Sequence, residues 1–238
     1  MTPEGAAAVA TLVGAVLGAL VPTLVERIPE PAEERHPDDG AKVPYAVVAA
    51  RPGLALQTTV LGGLAGGLVG YSVGWDRALV GLLPLVPVCL ALALVDLRTR
   101  LLPRVVVLPA TGALIVLAGL DAVLTGQHDD LVRAAIGLLV ARSFYWVLWY
   151  AHSAGMGFGD VRLAALLGFP LAWLGWQEFA LGMYSGFLVF ALPGLLLAIV
   201  RWDRGMLRAP YPFGPAMIVG ALLGVVLGPT LLAGLALQ

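Results

Sequence analysis

Residues 78–97 read ALVGLLPLVPVCLALALVDL, twenty residues with a single ionisable group, Asp96, next to last. The hydrocarbon core of a bilayer is about 30 Å thick and takes about 20 apolar residues as a helix. The stretch is therefore read as a membrane span that ends on a carboxylate. The same pattern recurs outward in both directions. Apolar segments fall at 5–25, 54–74, 105–124, 133–152, 160–176, 179–200 and 214–236. With 60% hydrophobic residues, 12% charged residues and a mean hydropathy of +0.92, the chain lies outside the range of soluble globular domains. The expected fold is all-α, a polytopic integral membrane protein with about eight transmembrane helices. Residues 1–53 are read as a first helix with its loop, and 54–238 as the membrane-embedded core.

Residues 26–52 form the one long polar connection, rich in Pro, Glu and Asp, and are expected to be poorly ordered. The first apolar segment has no basic residues before it and is read as a retained span rather than a cleaved signal. A single cysteine, Cys89, excludes an intrachain disulfide and a cysteine-based zinc site. Cytoplasmic connections hold the excess of Lys and Arg. Arg27, Arg35, Lys42, Arg51, Arg98, Arg100, Arg104, Arg162, Arg201, Arg204 and Arg208 follow odd-numbered segments, whereas the opposite side has Arg77 and Arg133. Both termini are therefore expected outside, with Asp96 and Asp160 both at cytoplasmic helix ends. Glycines four apart, Gly14 with Gly18 and Gly62 with Gly66, are expected to let the first two spans approach neighbours closely.

The second acid lies in Gly155-Met156-Gly157-Phe158-Gly159-Asp160. Asp160 can be read as a helix N-cap, accepting bonds from backbone N–H groups, or as a functional group. Asp96 ends an apolar helix, where the macrodipole disfavours an anion and an ionisable group is a functional candidate. Its alternative is a surface ion pair with Arg98 or Arg100. Together the two fit a two-acid hydrolase, one carboxylate activating water and one carboxylic acid protonating the carbonyl oxygen or departing nitrogen. Two close acids in a low dielectric share a proton. Gly157 and Gly159 would permit sharp backbone geometry and close approach by a substrate strand. A proton-coupled transporter or channel using the two acids as a relay is the rival reading.

Val95-Asp96-Leu97-Arg98-Thr99-Arg100-Leu101-Leu102-Pro103 and Gly155 to Leu163 resemble the two aspartate motifs of the prepilin peptidases, the GxGD-type intramembrane aspartic proteases or type IV leader peptidases. Tyr211-Pro212-Phe213-Gly214-Pro215 is similar to the motif that opens their last helix, and Gly14 to Gly18 with Arg27-Ile28-Pro29 to their first helix and its exit. The resemblance implies an aspartic endopeptidase with Asp96 and Asp160 as the catalytic pair. It further implies cleavage of type IV prepilin-like or pseudopilin-like precursors after a glycine, at the cytoplasmic face of the inner membrane. Many members carry two Cys-x-x-Cys pairs in the first cytoplasmic loop and methylate the new N-terminus with S-adenosylmethionine. Residues 26–52 contain no cysteine, which puts N-methyltransferase activity in doubt. No cofactor or metal is expected, and the partners are the precursor protein and membrane lipid, with no nucleic acid.

Arg142, inside an apolar segment, is expected to face the bundle interior or to snorkel. His152 is read as an interfacial histidine. The acids Glu30, Glu33, Glu34, Asp38 and Asp39 have the sign to attract a basic leader.

Overall fold

The computed structural model describes residues 2–30, 43–151, 156–201 and 212–235, with side chains omitted at 193–201 and 231–235. Among the described residues the regular structure is all helical. The helices are α1 (Pro3–Ala19), α2 (Val21–Glu26), α3 (Tyr45–Ala49), α4 (Leu54–Val73), α5 (Leu79–Thr99), α6 (Arg104–Thr125), α7 (His128–Ala151), α8 (Phe158–Leu174), α9 (Trp176–Arg201) and α10 (Gly214–Leu235). Among the described residues, five spans are long and apolar enough to cross a membrane: Pro3–Glu26, which joins α1 and α2, and the helices α4, α5, α6 and α7. The all-α, multi-pass architecture agrees with the sequence reading, and α8 is enclosed within it. This helix has 17 residues and is buried continuously from Leu163 to Trp173. A helix apolar all round is buried, whether in a protein core or inside a membrane bundle.

The chain forms two compact units, 1–113 and 114–238, whose boundary runs through α6. In the first, α1 packs along α4 through glycine. A Cβ on Gly14 would overlap the Gly62 carbonyl oxygen, one on Gly18 the Thr58 carbonyl, and one on Gly66 the Ala10 carbonyl. The close approach expected of these glycines is thus an α1–α4 contact made backbone to backbone.

Residues 43–50 correct the expectation that the whole 26–52 connection lacks order. The Tyr45 backbone N–H donates to Glu30 Oε1 at 2.6 Å, which caps α3. Val21, Val25, Ile28, Tyr45 and Val48 then form one apolar cluster with Ala91 and Val95 of α5. The Tyr45 hydroxyl bonds the Thr99 side chain, whose own proton goes to the Val95 carbonyl at 2.8 Å. Tyr45 is therefore the donor. Burial first, and the Glu30 charge second, raise its phenol above the usual range and keep it protonated. Glu30 thus acts as a helix cap. Glu33, Glu34, Asp38 and Asp39 lie outside the described residues. Tyr45→Phe should lower stability by about 1 kcal/mol, the net contribution of one hydrogen bond, read as a lower melting temperature in detergent.

In the second unit α7 packs antiparallel to α8, and α9 to α10, again through small residues. A Cβ on Gly137 would overlap Ala172 Cβ, and one on Gly168 would come within 2.6 Å of Ala141 Cβ. On the other seam a Cβ on Gly220 would overlap the Gly186 backbone nitrogen, and one on Gly224 would lie 2.6 Å from Gly182 Cα. Arg133 of α7 closes the far end of α8. Its Nε donates to the Ala172 carbonyl at 2.6 Å, and its Nη2 to those of Trp173 at 2.6 Å and Leu174 at 3.4 Å. Asp130 holds the same guanidinium at 2.8 Å. A helix C-terminus leaves carbonyls without intrahelical partners and favours a cation there. Arg133→Met retains the bulk and removes the donors. It should cost about 2 kcal/mol through acceptors left unsatisfied, again seen in the melting temperature.

Candidate active site

Asp96 occupies the last turn of α5. The helix closes on Arg100, which adopts the left-handed conformation (φ 55°, ψ 31°) and donates its N–H to the Asp96 carbonyl at 2.8 Å. A non-glycine residue at positive φ is uncommon, and it makes the chain turn away four residues after the acid. Asp96 is 4% exposed while Leu97 is 57% exposed, so the acid is buried at the end of the helix and not on its surface. The acid faces inward at the helix end braced by α2, α3 and the Tyr45–Thr99 bond.

Asp160 is 7% exposed and stands at the third position of α8. The N-cap is Gly157, and the Gly157 N–H donates to Asp160 Oδ2 at 3.1 Å. The side chain thus reaches back to the cap as the acidic half of a capping box, correcting the reading of Asp160 as the N-cap itself. That bond fixes one carboxylate oxygen and the side-chain rotamer. The helix N-terminus adds a favourable field for the anion. Arg162 lies over the Phe158 ring at 4.8 Å. Trp149 of α7 meets the same ring edge-on at 5.1 Å.

Gly157 has ordinary extended backbone (φ −74°, ψ 149°), and a Cβ there would make only van der Waals contact, 3.6 Å from Asp160 Oδ2. The backbone itself does not demand glycine at 157. Gly159 lies in the first turn of α8. Gly155, His152 and Tyr211 lie outside the described residues, and Arg142 is on the exposed side of α7.

The structure gathers Gly157, Gly159 and Asp160 in one helix cap of the second unit, while Asp96 belongs to the first. Two residues near the acids were not singled out from sequence. Tyr45 reaches α5 through a hydrogen bond to a residue far along the chain. Tyr145 ends the stripe Ala134, Gly137, Ala141 and Tyr145 on α7, all buried, a spacing of three and four residues that was a readable signal.

A multi-pass α-helical membrane protein whose buried charges, among the described residues, are two carboxylates, each at the end of an apolar helix, is the class defined by fold and site. The chain belongs to the type IV leader peptidase family, whose model it matches over residues 83–235. That stretch contains both acids and begins inside α5. Among similar proteins are the prepilin leader peptidase/N-methyltransferases of Stutzerimonas stutzeri, 32% identical over 72% of this chain and 57% of that one, and of Pseudomonas putida, 33% identical over 70% and 56%. That of Pectobacterium carotovorum subsp. carotovorum is 33% identical over 71% and 58%. The chain thus spans somewhat more than half the length of the curated relatives it matches. No solved structure matches it.

Proposed function

We propose that the protein is an intramembrane aspartic endopeptidase that removes the leader of type IV prepilin-like precursors, after a glycine, at the cytoplasmic face of the inner membrane. One observation carries this reading: among the described residues, the buried charged side chains are Asp96 and Asp160 alone. Burying a carboxylate is expensive unless its surroundings are arranged for it. Buried acids of this kind concentrate at functional sites.

In the proposed mechanism water lies between the two carboxyls. The ionised one takes a proton from water as it attacks the scissile carbonyl carbon, and the protonated one gives its proton to the carbonyl oxygen. The tetrahedral intermediate collapses with transfer of a proton to the departing nitrogen, and the pair returns to its singly protonated form. Like charges held close cannot both ionise, so the two acids titrate as one unit. The Gly157 N–H, holding Oδ2 of Asp160, keeps that carboxyl in one orientation throughout. Because the fold leaves space for a Cβ at Gly157, its glycine is assigned to the passage of an extended substrate strand.

The relatives are named as methyltransferases too. For this chain, without cysteine in residues 26–52, leader removal without N-methylation is the reading advanced. The test is cleavage of a co-expressed prepilin-like precursor in membranes, read by the mass of the product's N-terminus. A shortened product supports the peptidase, and one heavier by a methyl group overturns the unmethylated part. An uncut precursor together with proton flux in liposomes would favour the relay instead.

A further inference from the structure

Tyr145 is 1% exposed, and its hydroxyl has no hydrogen-bond partner among the described residues. The ring is held firmly. It stacks on Phe187 at 5.5 Å and 22°, tilts on Phe213 at 6.0 Å, and meets the edge of Phe144 at 5.6 Å. A buried hydroxyl without a partner costs about 1–3 kcal/mol, and nearly all such groups in folded proteins are paired. Phenylalanine would keep every one of these ring contacts. Packing therefore does not account for the oxygen.

Its surroundings do. Ala172 lies opposite Gly137 and Ala141 opposite Gly168 on the antiparallel α7–α8 pair. Four residues further on, Tyr145 comes level with Ala164, one turn inward of Asp160. The Asp160 carboxylate interacts electrostatically with the phenol. Phe213, in contact with the ring, immediately precedes α10, so the phenol sits where the first turns of α8 and α10 converge.

We propose that Tyr145 is a catalytic hydrogen-bond donor near Asp160, its O–H donating to the oxygen, of water or of the scissile carbonyl, that Asp160 acts on when substrate is bound. This rests on the peptidase reading. The hydroxyl supplies a fixed dipole in a site with little water, where such a donor is strongest.

The test is Tyr145→Phe in the full-length protein, assayed on the prepilin-like precursor beside wild type and Asp160→Asn. The variant should melt at or above the wild-type temperature. Its kcat should fall about 100-fold, as for loss of one preorganised donor, with KM within about twofold, the sign of an interaction made in the transition state. Wild-type kcat in Tyr145→Phe, a change confined to KM, or a lowered melting temperature would each overturn the assignment. Should wild type itself leave the precursor uncut, the peptidase reading fails separately. Tyr145 is then judged by the infrared carboxyl band of Asp160, identified by its loss in Asp160→Asn. An unmoved band in Tyr145→Phe overturns the placement of the phenol beside the Asp160 carboxyl, and a shifted one upholds it.

Discussion

Asp96→Asn and Asp160→Asn should each abolish precursor cleavage while leaving a folded membrane protein. The amide is nearly isosteric with the acid and can neither accept the proton of water as a base nor deliver one as an acid at neutral pH. Each change therefore removes one half of a two-proton exchange. Groups that act as a unit fail together, so a loss of about 1,000-fold or more is expected from either one, and the double variant should be little worse. The mass of the product N-terminus measures cleavage, and a melting curve in detergent establishes folding. Asp160→Asn also puts the cap to use as a control, because the amide oxygen still accepts from the Gly157 N–H. A folded variant with more than about a tenth of wild-type rate, within about 1.4 kcal/mol of the native barrier, would sink the assignment of that residue.

The second large effect concerns the seam between α1 and α4. Gly62→Ala adds one methyl group, which would overlap the Gly14 carbonyl oxygen and stand 3.0 Å from Gly18 Cα. Both are backbone atoms on a helix, so the strain cannot be relieved by a side-chain rotation and the two helices must separate. A cost of about 3 kcal/mol is expected, a large part of the 5–15 kcal/mol that holds a typical domain folded. Gly112→Ala is the matched control. A Cβ there has nothing within 4 Å, and replacing glycine by alanine in a helix favours folding by up to about 1 kcal/mol. The same chemical change should therefore move the melting temperature in opposite directions at the two sites. Shifts of the same sign would mean that α1 and α4 do not meet through Gly62.

Much of this was legible because membrane helices obey a local rule. Length and apolarity alone mark the spans now seen as α4, α5, α6 and α7, since each must match the bilayer by itself. An acid at the end of such a run is conspicuous for the same reason, and so Asp96 and Asp160 stood out before any coordinates. The Gly14–Gly18 and Gly62–Gly66 spacings showed that backbones would approach, since spacing by four puts small residues on one helix face.

Other features are decided by which elements meet, and periodicity carries no record of that. The helix expected at 160–176 is covered by its neighbours from Leu163 to Trp173, which hydropathy could not tell, since it treats lipid and protein interior alike. Arg133 looked like a topological charge and proves to be the cap of a helix nearly forty residues away. Tyr45, in a connection read as lacking order, is buried against α5 through the Glu30 cap and the Thr99 hydroxyl. Tyr145 read as one apolar residue among many, until packing enclosed its oxygen. Sequence by itself determined the membrane class, most of the spans and the two acids, because each follows from the solvent a segment must face. Tertiary structure alone decided the burial and orientation of Asp160, the brace at the end of α5 and the enclosure of the Tyr145 hydroxyl. Hydrogen bonds and burial depend on partners distant in the chain.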